Sequence, residues 1–103
     1  MGGFGNMMKQ AQEMQRKLAE VQEDLRTRVV EGSAGGGMVT AQVNGRLELL
    51  VLKVAPEVVD PDDVDMLQDL IIAAVSQATK KAQELAQAEM SKVTGGLSLP
   101  GMF

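Results

Sequence analysis

The run D-P-D-D-V-D-M-L-Q-D-L-I-I-A-A, Asp60 to Ala74, constrains this chain most, because it predicts a helix start with no breaker before Gly95. Asp60 can accept from the free N–H groups of a first turn, and Pro61 suits the first helical position. Asp62, Asp63 and Asp65 place negative charge at the positive end of the helix dipole. Gly95 and Gly96 supply the stop, so the predicted helix covers 61–94 and runs about 33 residues, or roughly 50 Å. A chain of 103 residues cannot cover a helix of that length. The same acids also fit a calcium loop in outline but not in detail. Counting from Asp60, Val64 and Asp65 stand where an oxygen ligand and a glycine belong, and Ile71 stands at the bidentate Glu position. Helix capping is the expected role, and no metal is expected.

The chain has no His, Cys, Tyr or Trp. Without His or Cys the usual zinc sites and nucleophile–base pairs cannot be assembled, and Ser33, Ser76, Ser91 and Ser98 have no base motif beside them. An enzyme is not expected, nor a cofactor. Absence of cysteine fits a reducing cytoplasm, and the uncharged apolar run Leu70 to Thr79 falls well short of the roughly 20 apolar residues of a membrane span. Asn6 occupies the place where a myristoylation signal has Ser or Thr. The expectation is a single cytoplasmic domain over 1–103, with no membrane partner.

A first helix is predicted over 6–25. Met7, Ala11, Met14, Leu18, Val21 and Leu25 follow one another by four, three, four, three and four residues, the seam of a heptad that wants a facing helix. The methionines are read as packing against the second helix, with an adaptable binding surface as the alternative. Lys9 and Arg16 fall opposite the seam. From 26 to 54 the period changes to 2, giving three strands over 26–33, 38–44 and 46–54. Asn44-Gly45 predicts a tight hairpin of type I′, and Gly35, Gly36 and Gly37 a looser one. A phosphate-cradling loop is not expected there, because no G-K-[ST] follows and the next element is a strand. The run Leu49, Leu50, Val51, Leu52 predicts a third strand buried on both faces.

The second helix carries an apolar stripe through Val64, Leu67, Ile71, Ala74, Ala78, Ala82 and Leu85, widened by Leu70, Ile72 and Val75, so its first half is expected to be buried. From Lys80 onward Ala, Gln, Glu and Lys dominate, and that half is expected to project and pack with the first helix as an arm. One protomer cannot cover both faces of the third strand. Twofold pairing is the common remedy, and Leu50, Leu52, Leu67, Leu70 and Ile71 are the expected dimer-interface residues.

Four segments carry a resemblance: G-N-M-M-K-Q-A-Q-E-M-Q, V-N-G-R-L-E-L-L, the Asp60 segment, and T-G-G-L-S-L-P-G-M-F. In these the chain resembles the YbaB/EbfC family of bacterial nucleoid-associated proteins over nearly its whole length. The resemblance implies an α+β protomer ordered α-β-β-β-α with a three-stranded antiparallel sheet. It also implies a tweezer-like homodimer with helical arms, and DNA binding without a cofactor.

A net charge of −4 is awkward for a polyanion partner, but its distribution is uneven. Residues 1–30 hold five basic and four acidic side chains, 76–103 three and two, and the intervening stretch two and eight. The acid therefore sits at the sheet and the start of the second helix, while the arms tolerate phosphate. With a Debye length of about 8 Å at physiological salt, a distant acidic body is partly screened. The candidate phosphate contacts are Lys9, Arg16 and Lys17 on the first helix and Lys80, Lys81 and Lys92 on the second. Lys81 and Lys92 are eleven residues apart and return to nearly one helix face. Ordinary surface pairing, Arg16 with Glu20 and Lys80 with Glu84, is the competing explanation. With Phe4 and Phe103 the only aromatics, double-stranded DNA held through its backbone is favoured over a stacked single strand.

The expected function is to bind and reshape DNA in the nucleoid, with effects on gene expression. The alternative is a scaffold for replication or repair proteins, docked through the Met-rich helix and the tail 95–103, with DNA association indirect.

Overall fold

The computed structural model describes residues 2–94. Gly95, Gly96 and the rest of the tail to residue 103 lie outside the described residues. The order is α1 (Gly2–Thr27), β1 (Val29–Ala34), β2 (Val39–Asn44), β3 (Leu49–Val54), a 3₁₀ turn (Pro56–Val58) and α2 (Val64–Thr94). The class is α+β and the sequence of elements α-β-β-β-α. The strands form one antiparallel sheet in the order β1-β2-β3. The long helices draw the molecule out to 73 × 26 × 17 Å, with a radius of gyration of 19.7 Å. A compact chain of this length would have about 13 Å.

α2 lies across one face of the sheet, over β1 and β2. Val39, Ala41 and Val43 of β2 meet Ala74, Ala78 and Ala82 of α2, all fully buried. Close approach depends on Gly32 of β1. A Cβ there would stand 2.4 Å from the Ala74 carbonyl oxygen and 2.4 Å from the Ala78 nitrogen. Period-2 alternation sends Glu31, Ser33, Thr40 and Gln42 to the opposite, polar face, where Gln42 Nε2 donates to Glu31 at 3.3 Å.

Several element ends differ from the sequence expectation. α1 begins at Gly2 rather than Asn6, because a nucleated helix gains a hydrogen bond per added residue even through glycines. It continues to Thr27 rather than ending at Leu25, with the Thr27 hydroxyl donating to the Asp24 carbonyl at 2.8 Å, so β1 starts at Val29 rather than at 26. α2 begins at Val64 rather than 61. Asp60 closes a separate turn with Pro61 at its second position: its carbonyl accepts from Asp63 N–H at 2.9 Å and its carboxylate from Asp62 N–H at 2.9 Å. Asp63 is the true cap, accepting from Met66 N–H at 3.2 Å.

The Asn44-Gly45 turn is not of type I′. The residue with positive φ is Leu47 (66°), and the connection is the wider loop 45–48. Buried Asn44 organises it. Its Oδ1 accepts from the N–H groups of Arg46 and Glu48, both at 3.0 Å, while its Nδ2 donates to the Arg26 carbonyl at 3.1 Å and to Glu48 at 2.8 Å. Gly45 is required for closeness instead, since a Cβ would stand 2.8 Å from the Leu25 carbonyl oxygen.

Two burial expectations also fail in the protomer. β3 is not buried on both faces: Leu49 is exposed, and Leu50 and Leu52 are 51% and 40% exposed, because α2 sits mainly over β1 and β2. Likewise Val64, Met66 and Ile72 of α2 are exposed, and Leu67, Leu70, Ile71 and Val75 are only partly covered.

Candidate nucleic-acid interface

α1 and the second half of α2 run antiparallel as an arm. Arg28, just after α1, donates to Glu89 at 3.4 Å and to Asp24 at 3.5 Å. Farther out, Lys17, Glu20, Val21 and Asp24 of α1 face Glu89, Lys92 and Val93 across a groove of about 370 Å³. Glu89 is the centre of this contact. The hydrogen bond from Lys92 (3.1 Å), helped by the charges of Lys92 and Arg28 and opposed by partial burial, holds its carboxyl below the ordinary 4.5. In the last turns of α1, the hydrogen bond and charge of Arg26 lower the Glu23 carboxyl in the same way, with a small contribution from Arg46.

The six candidate cations divide into two groups. Arg16 is paired with Glu20 at 2.7 Å and lies 3.8 Å from Glu13; Lys92 is paired with Glu89; and Lys81 donates to the Glu31 carbonyl at 2.8 Å. Lys9, Lys17 and Lys80 make no hydrogen bond or ion pair among the described residues. Lys9 lies on the outer side of α1 with Asn6, Gln10 and Glu13, and Lys17 lines the arm groove. Lys80 stands on the solvent side of α2, about 200° around the helix from the buried alanine stripe at 100° per residue.

Lys81 has a structural task that its spacing from Lys92 concealed. β1 is an edge strand, and its outward Glu31 carbonyl and Ser33 N–H are satisfied by Lys81 Nζ and by Gln77 Oε1, the latter at 2.8 Å. Sequence reasoning also missed Arg28. Its i−4 partner Asp24 is readable from spacing, whereas Glu89 is 61 residues away and reaches it only through the fold.

The described residues contain no cluster of three acidic side chains able to hold a metal ion, and no helix among them is long and apolar enough to cross a membrane. The arm carries Lys9, Lys17 and Lys80 exposed on two long helices.

The model of the YbaB/EbfC DNA-binding family matches residues 1–97. The chain belongs to that family. It is 53% identical, over 99% of its length and 94% of the relative's, to a nucleoid-associated protein of Caldanaerobacter subterraneus subsp. tengcongensis. It is 55% identical to one of Acetivibrio thermocellus, covering 99% and 91%. The fold is that of an uncharacterized Helicobacter pylori protein known from a crystal structure. There the TM-score is 0.81 at 21% identity, covering 89% of this chain and 97% of the other.

Proposed function

We propose that the chain acts as one unit, a homodimeric, non-enzymatic nucleoid-associated protein of the bacterial cytoplasm. Its arms grip double-stranded DNA through the phosphates, alter its conformation, and so contribute to nucleoid organisation and gene expression. The observation that carries the reading is the placement of the charge. Lys9, Lys17 and Lys80 project from the arm helices without partners among the described residues, whereas Asp60, Asp62, Asp63 and Asp65 cluster at the opposite end of α2. Arg16 adds to the same set, because an exposed ion pair is worth only about 0–1 kcal/mol and is readily exchanged for a phosphate. Lys92 and Lys81 would first have to leave Glu89 and the β1 edge.

The dimer reading is supported by the asymmetry of the sheet. Lys81 and Gln77 occupy the outer edge of β1, while among the described residues the outer edge of β3 is unpaired and Leu49, Leu50 and Leu52 are exposed. Helical phase puts Ile71, Ile72 and Val75 on the flank of α2 away from Gln77 and Lys81, toward β3. A second copy seated there would cover Leu50, Leu52 and Ile71 together; Leu67 and Leu70 already lean on their own core.

The test is fluorescence anisotropy of a labelled duplex across a salt series. Changing Lys9, Lys17 and Lys80 to Ala should weaken binding and flatten the slope of log affinity on log salt by about 0.9 for each phosphate that is no longer neutralised. Changing Lys81 and Lys92 should leave the slope closer to the parent's. Exposed Phe4, Met7 and Met8 favour a second reading, a scaffold for replication or repair proteins. Absence of duplex binding at low salt would reject the first reading and leave the second.

A further inference from the structure

The seam of α1 is progressively uncovered along its length. Leu25 is 1% exposed; Val21, Leu18 and Met14 are partly covered; Met7 and Phe4, on the same stripe, are 68% and 72% exposed. The cause is a difference in reach. Val93 is level with Met14 and Lys17, so α1 projects beyond the end of α2 by about a dozen residues, or roughly 18 Å. The result is a groove of about 610 Å³ whose walls are Met7, Gln10, Ala11, Glu13, Met14 and Lys17 of α1, with Val93 alone from α2.

We infer that residues 95–103 of the same chain fill this groove, as the missing partner of the α1 seam. The segment departs from Thr94, one residue after the α2 wall of the groove. Nine residues reach up to about 30 Å when extended, more than the uncovered length of α1. Gly95 and Gly96 allow the chain to turn off the helix axis. Leu97, Leu99, Met102 and Phe103 then supply apolar side chains, and no residue of the segment carries a charged one. That chemistry matches the groove, where Glu13 offsets Lys17 and the floor is Met7, Ala11 and Met14. Tethering also gives this segment a local concentration in the millimolar range, which a free partner would have to exceed.

Because the chain has no cysteine, a disulfide pair reads the contact directly. In the full chain, Met7→Cys with Leu99→Cys should oxidise to a cross-link within one chain, about tenfold faster or more than Lys9→Cys with Leu99→Cys, whose first cysteine lies on the far side of α1. A covalent dimer as the main product would assign the groove to a second copy, and equal rates for the two pairs would show no preferred seat; either result overturns the inference. Methyl NMR of Met gives a second readout. Truncation after Thr94 should shift Met7 and Met14 while leaving Met38 and Met66 in place, and unmoved Met7 and Met14 signals would also overturn it. Should the truncated chain not fold, all four signals would move and the disulfide pair decides.

Discussion

Gly32→Ala is the sharpest test of how this fold is held together. The added methyl would lie 2.4 Å from two backbone atoms of α2, the Ala74 oxygen and the Ala78 nitrogen, and 3.0 Å from the Ala78 Cα. Ordinary contact is about 3.5 Å, so strand and helix must separate by roughly 1 Å. Neither can give easily. α2 is tied to β1 by Gln77 on Ser33 N–H and Lys81 on the Glu31 carbonyl, and it is seated through the fully buried Ala74, Ala78 and Ala82. Overpacking of this kind costs about 1–3 kcal/mol, and contact with backbone on both sides places it at the upper end. Replacing glycine returns about 0.4–1 kcal/mol by restricting the unfolded chain, for a net loss of about 2 kcal/mol. At roughly 4–8 °C per kcal/mol for a domain of this size, the melting temperature should fall by about 8–16 °C. Far-UV circular dichroism melts at several protein concentrations measure this and expose any coupling to association. Gly5→Ala is the matched control: it meets nothing within 4 Å in the middle of a helical turn, so its melting temperature should hold or rise. A Gly32→Ala protein melting within about 2 °C of the parent would refute the close packing of α2 on β1.

Three other outcomes are expected. Asn44→Ala removes a buried side chain that makes four hydrogen bonds and leaves the Arg26 carbonyl and two N–H groups without their partner; it should cost about 2 kcal/mol or more by calorimetry, and Asn44→Asp should not rescue it, because a carboxylate would face Glu48. Glu89 has a lowered carboxyl pKa, so its contribution is present above the ordinary 4.5 and is lost as pH falls through the folded value; the melting difference between parent and Glu89→Gln should be flat above about pH 5 and shrink below it, and a constant difference down to strong acid would contradict this. Leu52→Glu should turn the proposed dimer into a folded monomer by light scattering, whereas a dimer that persists would move the interface away from β3.

The period-3.6 and period-2 stretches made both helices and all three strands legible, since each stripe is long enough to outvote its local exceptions. The ends were less legible because their residues serve two masters. Asp60-Pro61 satisfies a helix start and a β-turn equally well, and only the position of Asp63 over Met66 decides between them. The role of Gly32 was not legible, since the contacts it makes are with Ala74 and Ala78, more than forty positions away. The same distance hid the roles of Lys81 and Arg28. Helical spacing can say that two cations share a face, but not that one of them is spent on a strand edge.

That use of Lys81 links the sheet to the arms. A small sheet with two open edges would join neighbours through either one and grow without limit, whereas closing β1 from α2 leaves β3 as a single edge and directs association toward a closed pair. The groups that close β1 lie on the same helix that carries Lys80 and Lys92 outward, so the helix that sets which edge may pair also fixes where its cations stand. Cutting the seal without touching the exposed lysines separates the two effects. Gln77→Ala with Lys81→Met, which keeps a long apolar stem over the strand, should leave the proposed duplex binding by Lys9, Lys17 and Lys80 in place while promoting assemblies larger than the proposed dimer as concentration rises. A protein that stays dimeric at every concentration would show that β1 is protected by something other than these two side chains.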